Sequence, residues 1–174
     1  MKKYEFVPGD EKIIAPGRTV KRIRALIAIA AFGVSVGDLG GYVESEKSLS
    51  HENNAWVSGD AQVSGNALVS GDALVSGDAL VSGDARVSGN ALVSGDALVS
   101  GDAQIVWFSK VGRDNGTLTV FKNKDGELIA TRGCFHGSID EFLSKSEREH
   151  DDRTHLEYRL LIEVAYSRLT RGEK

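Results

Sequence analysis

From Ala55 to Gln104 apolar and polar positions recur with a period of six. Ala-Trp-Val-Ser-Gly-Asp is followed by Ala-Gln-Val-Ser-Gly-Asn and Ala-Leu-Val-Ser-Gly-Asp, and so on. Valine stands at 57, 63, 69, 75, 81, 87, 93 and 99, the series closes at Ile105, and an alanine sits two residues before each. Side chains two apart on a strand share a face, so each Ala-x-Val unit sends two apolar groups inward and the intervening residue outward. The Ser-Gly-Asp or Ser-Gly-Asn that follows supplies a corner, where glycine takes up turn conformations and Asp or Asn bonds nearby backbone. A period of six suits neither an isolated helix nor a hairpin. It predicts a solenoid of short strands stacked coil on coil.

The flanks follow other rules. Tyr4 to Val7 predicts a strand with Pro8-Gly9-Asp10 as its turn, and Val20 to Leu26 a second strand. Ala25 to Phe32 fits helix or strand equally and is expected to cover the first coil. Gly37-Asp38-Leu39-Gly40-Gly41 predicts a tight turn, after which Tyr42-Val43-Glu44 begins the repeat. Val43 and Leu49 keep the spacing of six, but Leu49 to Val57 is eight, so two extra residues around Ser50 to Asn54 should bulge out. That bulge carries His51. Beyond the repeat, Ile105 to Phe108 reads as a strand whose Trp107 seals the last coil. Thr117 to Phe121 and Glu127 to Thr131 flank a hairpin turn at Asn123-Lys124-Asp125-Gly126. Ser138 with Glu141, and Thr154 with Glu157, are spaced as capping boxes, and Gly172 stands where a second helix would stop. The tail is thus expected to hold two strands and two helices. The organisation read from the chain is 1–33 as N-terminal strands and cap, 34–108 as solenoid, and 109–174 as a small α+β module.

Charge narrows the partners. The net charge is -4, and residues 57–105 carry six aspartates against the single Arg86. Nucleic-acid affinity needs concentrated Lys and Arg, so no nucleic-acid partner is expected. No apolar run is long enough to span a bilayer and no signal peptide is visible, which leaves no membrane partner and a cytoplasmic location as the expectation. The lone Cys134 cannot form an internal disulfide.

The aliphatic residue at the first place of each hexad and the small residue at the fifth, Val57 with Ala61 through Val99 with Ala103, resemble the hexapeptide-repeat, left-handed parallel β-helix proteins. The resemblance implies three hexads per coil, hence about three regular coils and a fourth, irregular one. On that register the outward residues form rows: Trp56, Leu74 and Leu92; Gln62, Leu80 and Leu98; Leu68, Arg86 and Gln104. Exposed leucine rows ask for cover, either from the chain's own tail or from a second copy in a dimer or trimer. Asp60, Asp78 and Asp96 also stack, as outsiders for a calcium ion; no metal is assigned. The order of the whole chain further resembles uncharacterised proteins of phages and prophages. The segments that carry this are Arg22-Ile23-Arg24-Ala25-Leu26, Gly37-Asp38-Leu39-Gly40-Gly41-Tyr42-Val43-Glu44-Ser45-Glu46, the repeat itself, and Gly133-Cys134-Phe135-His136-Gly137-Ser138-Ile139-Asp140-Glu141-Phe142. That likeness implies a protein working in a host cytoplasm, where some such proteins bind and inhibit defence machinery.

Residues able to do chemistry are sparse. Acyltransferases of the hexapeptide class use a histidine on the helix as base, yet none lies between Ala55 and Gln104, leaving His51 as the only candidate. His51, His136, His150 and His155 lack the ligand spacing of a zinc site, Cys134 and His136 form at most half of one, and no nucleotide fingerprint implies a cofactor. Three readings stand. The first is a non-enzymatic interaction protein that self-associates and engages a host protein, with Tyr158, Arg159, Tyr166 and Arg168 of the last helix as contact candidates. The second is an acyltransferase with an atypical site. The third is a small-nucleotide sponge using Lys21, Arg22, Arg24 and Arg86 as anion-binding groups.

Overall fold

A computed structural model describes residues 1–101 and 104–170. At the N-terminus β1 (Tyr4–Ala15) and β2 (Arg18–Ala25) form an antiparallel hairpin around Pro16-Gly17. The turn expected at Pro8-Gly9-Asp10 is not there: β1 runs through it as one strand, and the extra residues are absorbed by a register shift between Phe6 and Glu11. After β2, Ile29 bridges to Val34 around a 3-10 turn at Ala30–Phe32. The tight turn expected across Gly37 to Gly41 is shorter than anticipated, because Gly40 and Gly41 lie inside β3 (Leu39–Val43).

Eight two-residue strands carry the repeat: β4 (Trp56–Val57), β5 (Gln62–Val63), β6 (Leu68–Val69), β7 (Leu74–Val75), β8 (Leu80–Val81), β9 (Arg86–Val87), β10 (Leu92–Val93) and β11 (Leu98–Val99). Parallel pairing joins strands three hexads apart: β4 with β7 and β7 with β10, β5 with β8 and β8 with β11, and β6 with β9. Trp56 N–H donates to Ala73 O and Ser58 N–H to Val75 O, both at 2.9 Å, and the coils below repeat the pattern. Every repeat alanine and valine among the described residues is buried, which places the core along the solenoid axis. At the corners glycine is required twice over. Gly71 has φ +66°, and a Cβ there would stand 2.9 Å from the Gly89 nitrogen of the next coil.

The first coil is irregular in the way the spacing foretold. Tyr42 and Val43 pair with Gln62 and Val63, Leu49 bridges to Val69, and the extra residues between Leu49 and Val57 form a bulge with Asn53 at φ 55°. β2 adds antiparallel to β3, so the hairpin extends one solenoid face into a sheet of order β1-β2-β3-β5-β8-β11. The Arg18 guanidinium and the Gly65 N–H hold the Glu44 carboxylate and pull its pKa down to about 2, clamping the hairpin tip to the coil below.

Lys3 ties the N-terminus into the bulge. Its ammonium is fully buried and donates to Ala55 O at 2.6 Å and to Glu52 O and Asn53 O at 3.4 Å. Burial lowers its pKa to about 8, with the charge on Asp72 opposing that shift. Below about pH 8 the lysine is charged in both folded and unfolded chains. Between there and its ordinary 10.5 the unfolded chain binds the extra proton, so stability should rise with pH. Tyr4, pushed up by burial beside Glu46, reverses the trend above about pH 10, where unfolded tyrosine ionises first. Urea midpoints should therefore climb from pH 8 to the onset of that reversal in the native chain, and the climb should vanish in Lys3→Met.

The tail sheet holds four strands, β12 (Ile105–Val111), β13 (Gly116–Lys122), β14 (Leu128–Arg132) and β15 (Phe135–Ser138), all antiparallel in sequence order; β12 extends the strand expected at Ile105 to Phe108, and β15 was not expected. The hairpin at Asn123 is present, and β12 and β15 flank it. The helices α1 (Ile139–Glu149) and α2 (Asp152–Leu169) follow. The Ser138–Glu141 capping box forms as expected. The second one does not: α2 begins earlier, with Asp151 accepting from Thr154 N–H at 2.7 Å, and Glu157 instead accepts from Gly112 N–H. Gly172, Asp102 and Ala103 lie outside the described residues.

Alternation gives the tail sheet two apolar faces. Ile105, Trp107, Phe121 and Ile129 join the solenoid core, while Val106, Leu118, Val120 and Ala130 join the core of the helices. Buried Thr119 and Thr131 face the last coil and satisfy its open edge: Leu92 N–H donates to Thr119 Oγ1, and Thr131 Oγ1 donates to Leu92 O at 2.7 Å. The fold is mainly β, a parallel β-solenoid of about three turns with a distinct C-terminal α+β module.

Candidate interaction surface

The solenoid faces differ in how much of their leucine rows the chain covers. Trp56 is 1% exposed, packed among Ile23, Ile29 and Gly40. Leu74 is half-buried against the same core beside Phe32, and Leu92 is half-buried where the tail sheet grips its backbone. The chain's own two ends therefore cover most of this row. On the next face Leu98 is half-buried and Leu80 is 40% exposed.

The larger uncovered apolar surface is on α2. Its inward stripe, Thr154, Tyr158, Ile162, Ala165 and Leu169, is buried. Its outward stripe, Leu156, Leu160 and Val164, repeats every four residues and is about half exposed, as is Tyr166. Next to this stripe lies a groove of about 480 Å³, with Val106, Trp107 and Phe108 of β12 and Val164 of α2 as apolar lining. Arg86 of the solenoid and Arg168 of α2 stand at it. Two residues singled out in the sequence for different reasons, an anion-binding arginine and a contact arginine, thus share one groove. β12 is also an edge strand of its sheet.

The other sequence candidates fall elsewhere. Arg159 is exposed on α2, but Tyr158 is a correction: it is 1% exposed and stacks edge-on to Phe142 at 5.1 Å, because its position falls on the inward stripe. Lys21, Arg22 and Arg24 lie on β2, on a different sheet from Arg86. Arg22 donates to the carbonyls of Gly40 and Gly59 and pairs with Asp10 and Asp60, and Arg24 pairs with Glu5 at 2.6 Å, so both guanidiniums are engaged within the chain. Lys21 is exposed, with its ammonium 5.7 Å from the Phe6 ring.

His51 joins the N-terminal clasp. It stacks on Tyr4 at 4.4 Å, accepts from Lys3 N–H through Nδ1, and has its pKa lowered mainly by burial. Asp60 pairs with Lys12 and Arg22, and Asp96 with Lys124, while Asp78 is exposed at a corner. Among the described residues no group of three His, Cys, Asp or Glu side chains is placed to hold a metal ion. Cys134 is exposed and its neighbour His136 lies over Gly95.

Sequence reasoning missed Leu156, Leu160, Val164, Val106 and Phe108 as surface candidates. The four-residue spacing of Leu156, Leu160 and Val164 was a legible sign of a second face. The position of β12 beside α2 was not, since nothing local encodes it.

Coils, closed ends and groove define a capped β-solenoid. In agreement, a family model described as the YdcK beta solenoid repeat matches residues 61–77 and 85–101, and the chain is similar to that repeat over those two stretches. No curated protein and no solved structure matches the chain.

Proposed function

We propose that this protein is a non-enzymatic interaction scaffold whose capped solenoid presents the outer face of α2 and the adjacent groove to another protein. The observation that carries the reading is the half-exposed row Leu156, Leu160 and Val164 beside a groove bearing Arg86 and Arg168. Exposed apolar rows mark interaction surfaces, interface centres are enriched in aromatic side chains and arginine such as Trp107, Phe108 and Arg168 of this groove, and the positive charge of Arg168 favours an acidic partner. The resemblance to hexapeptide-repeat proteins of phages and prophages extends the proposal: the partner is a host protein, docking inhibits it, and the scaffold works as a homo-oligomer in the host cytoplasm.

Native mass spectrometry of protein drawn gently from host lysate tests this. The native chain should appear as a discrete oligomer carrying a stoichiometric acidic protein, and Leu160→Glu and Arg168→Glu should each weaken that complex at least about tenfold. A native chain that stays monomeric and carries no protein would overturn the reading.

A further inference from the structure

β12 begins where the coils stop, and its first residues are apolar in succession: Ile105, Val106, Trp107 and Phe108, with Ser109 after them. Successive side chains of a strand point to opposite faces, so Ile105 and Trp107 pack with the solenoid core while Val106 and Phe108 pack with the core of the helices. All four nevertheless line the groove of about 480 Å³, with Ser88 of the solenoid on one side and Val164 and Arg168 of α2 on the other. A hollow that touches both faces of a strand, and the layers above and below it, lies on neither face. It runs along the strand's edge. β12 ends the order of its sheet, with β13 on its other side, so this is the free edge.

That edge is open to hydrogen bonding. In an antiparallel pair every second residue of a strand directs its N–H and C=O away from the partner, and among the described residues no backbone group of 105–109 bonds outside the pairing with β13. Free edges are usually blunted by proline, charge or a bulge. The long edge strand β1 has all three, in Pro8, in Glu11 and Lys12, and in the register shift between Phe6 and Glu11. β12 has none of them before Lys110, where its register with β13 shifts. Its protection is the pair of walls, which leave a slot. A lone extended strand can enter, whereas the sheet edge of a second copy would bring its own flanking layers against them. Charge selects the strand, since among the described residues no carboxylate lines the slot beside the exposed Arg168.

Resting on the docking surface proposed above, we infer that the partner joins by strand addition: an extended acidic segment of it pairs with the free edge of β12 as a fifth strand of the tail sheet. Its acidic side chains turn to Arg168 and the alternate ones to the solenoid side. A synthetic probe tests this without any host protein. Two fluorescein-labelled, end-blocked hexapeptides, one alternating glutamate with valine and one lysine with valine, are titrated into the full chain by fluorescence anisotropy. The glutamate peptide should bind saturably at one site per chain and slow hydrogen exchange at alternate amides of 105–109. Arg168→Glu, at an exposed position that should leave the fold intact, should weaken it at least about tenfold and bind the lysine peptide better than the native chain does. No saturable binding at millimolar glutamate peptide would overturn strand addition. So would binding that leaves those amides exchanging as in the free chain, or that Arg168→Glu does not weaken. A host complex that Leu160→Glu disrupts but in which the β12 amides stay unprotected keeps the docking surface and overturns strand addition; edge-protecting peptide binding with no host complex does the reverse.

Discussion

A chain ending at Gln104 is expected to aggregate, eluting as large species in size-exclusion chromatography with light scattering, because the lower end of the solenoid is closed only by the tail. Each coil meets its backbone hydrogen bonds from the coil beneath, and the last coil has none below it. In the whole chain β13, β14 and the turn between them fill that need: Thr119 and Thr131 bond Leu92, Lys124 N–H donates to Asp96 O at 3.1 Å, and Ala97 bridges to Asn123. Ile105, Phe121 and Ile129 complete the apolar cover. Without them the chain presents an open parallel edge above a core of Val93 and Val99, the geometry that recruits further strands. A soluble monomer with undiminished β signal in circular dichroism would show that the coils close themselves.

The second large effect is expected at Gly41, where valine should cost about 3 kcal/mol in urea unfolding. Gly41 is buried in β3 with unexceptional backbone, so conformational freedom is not the reason. Space is. A Cβ there would stand 2.6 Å from both Ala61 O and Val57 Cγ1, and at neighbouring Gly40 one would stand 2.6 Å from Ile23 Cγ1 and 2.7 Å from Val57 O. Ala61 O accepts from Tyr42 N–H in the ladder that joins β3 to β5, so it cannot yield without breaking that pairing. A loss no larger than that of Gly33→Val, whose Cβ would meet nothing but whose φ is +67°, would mean that strain alone is at work.

Gly41 also marks the limit of local reading. Two adjacent glycines after Asp38 are ordinary turn residues, and their turn reading rested on composition alone. They are strand residues because the hairpin of β1 and β2 sits close above the first coil, a fact about two segments distant in the chain. Tyr158 was misread in the same way. Its candidacy rested on residue type, whereas its place on the inward stripe was decided by the side of α2 that meets the tail sheet. Pro8-Gly9 had the composition of a turn but not the role, since both arms of the hairpin continued past it.

What repeats and what is local was legible along the chain. The inward alanine and valine, the glycine corners, the bulge after Leu49, the hairpin at Asn123 and the capping box at Ser138 all follow from side-chain direction and short-range hydrogen bonding, which a few neighbouring residues specify, whereas three hexads per coil was implied only by the family resemblance. How the ends close and what stays open was set by packing between distant elements. Lys3 reaches Ala55 and Thr131 reaches Leu92 across 52 and 39 residues. Arg86 meets Arg168 at one groove. Each such meeting depends on how whole elements pack, and no spacing along the chain records it.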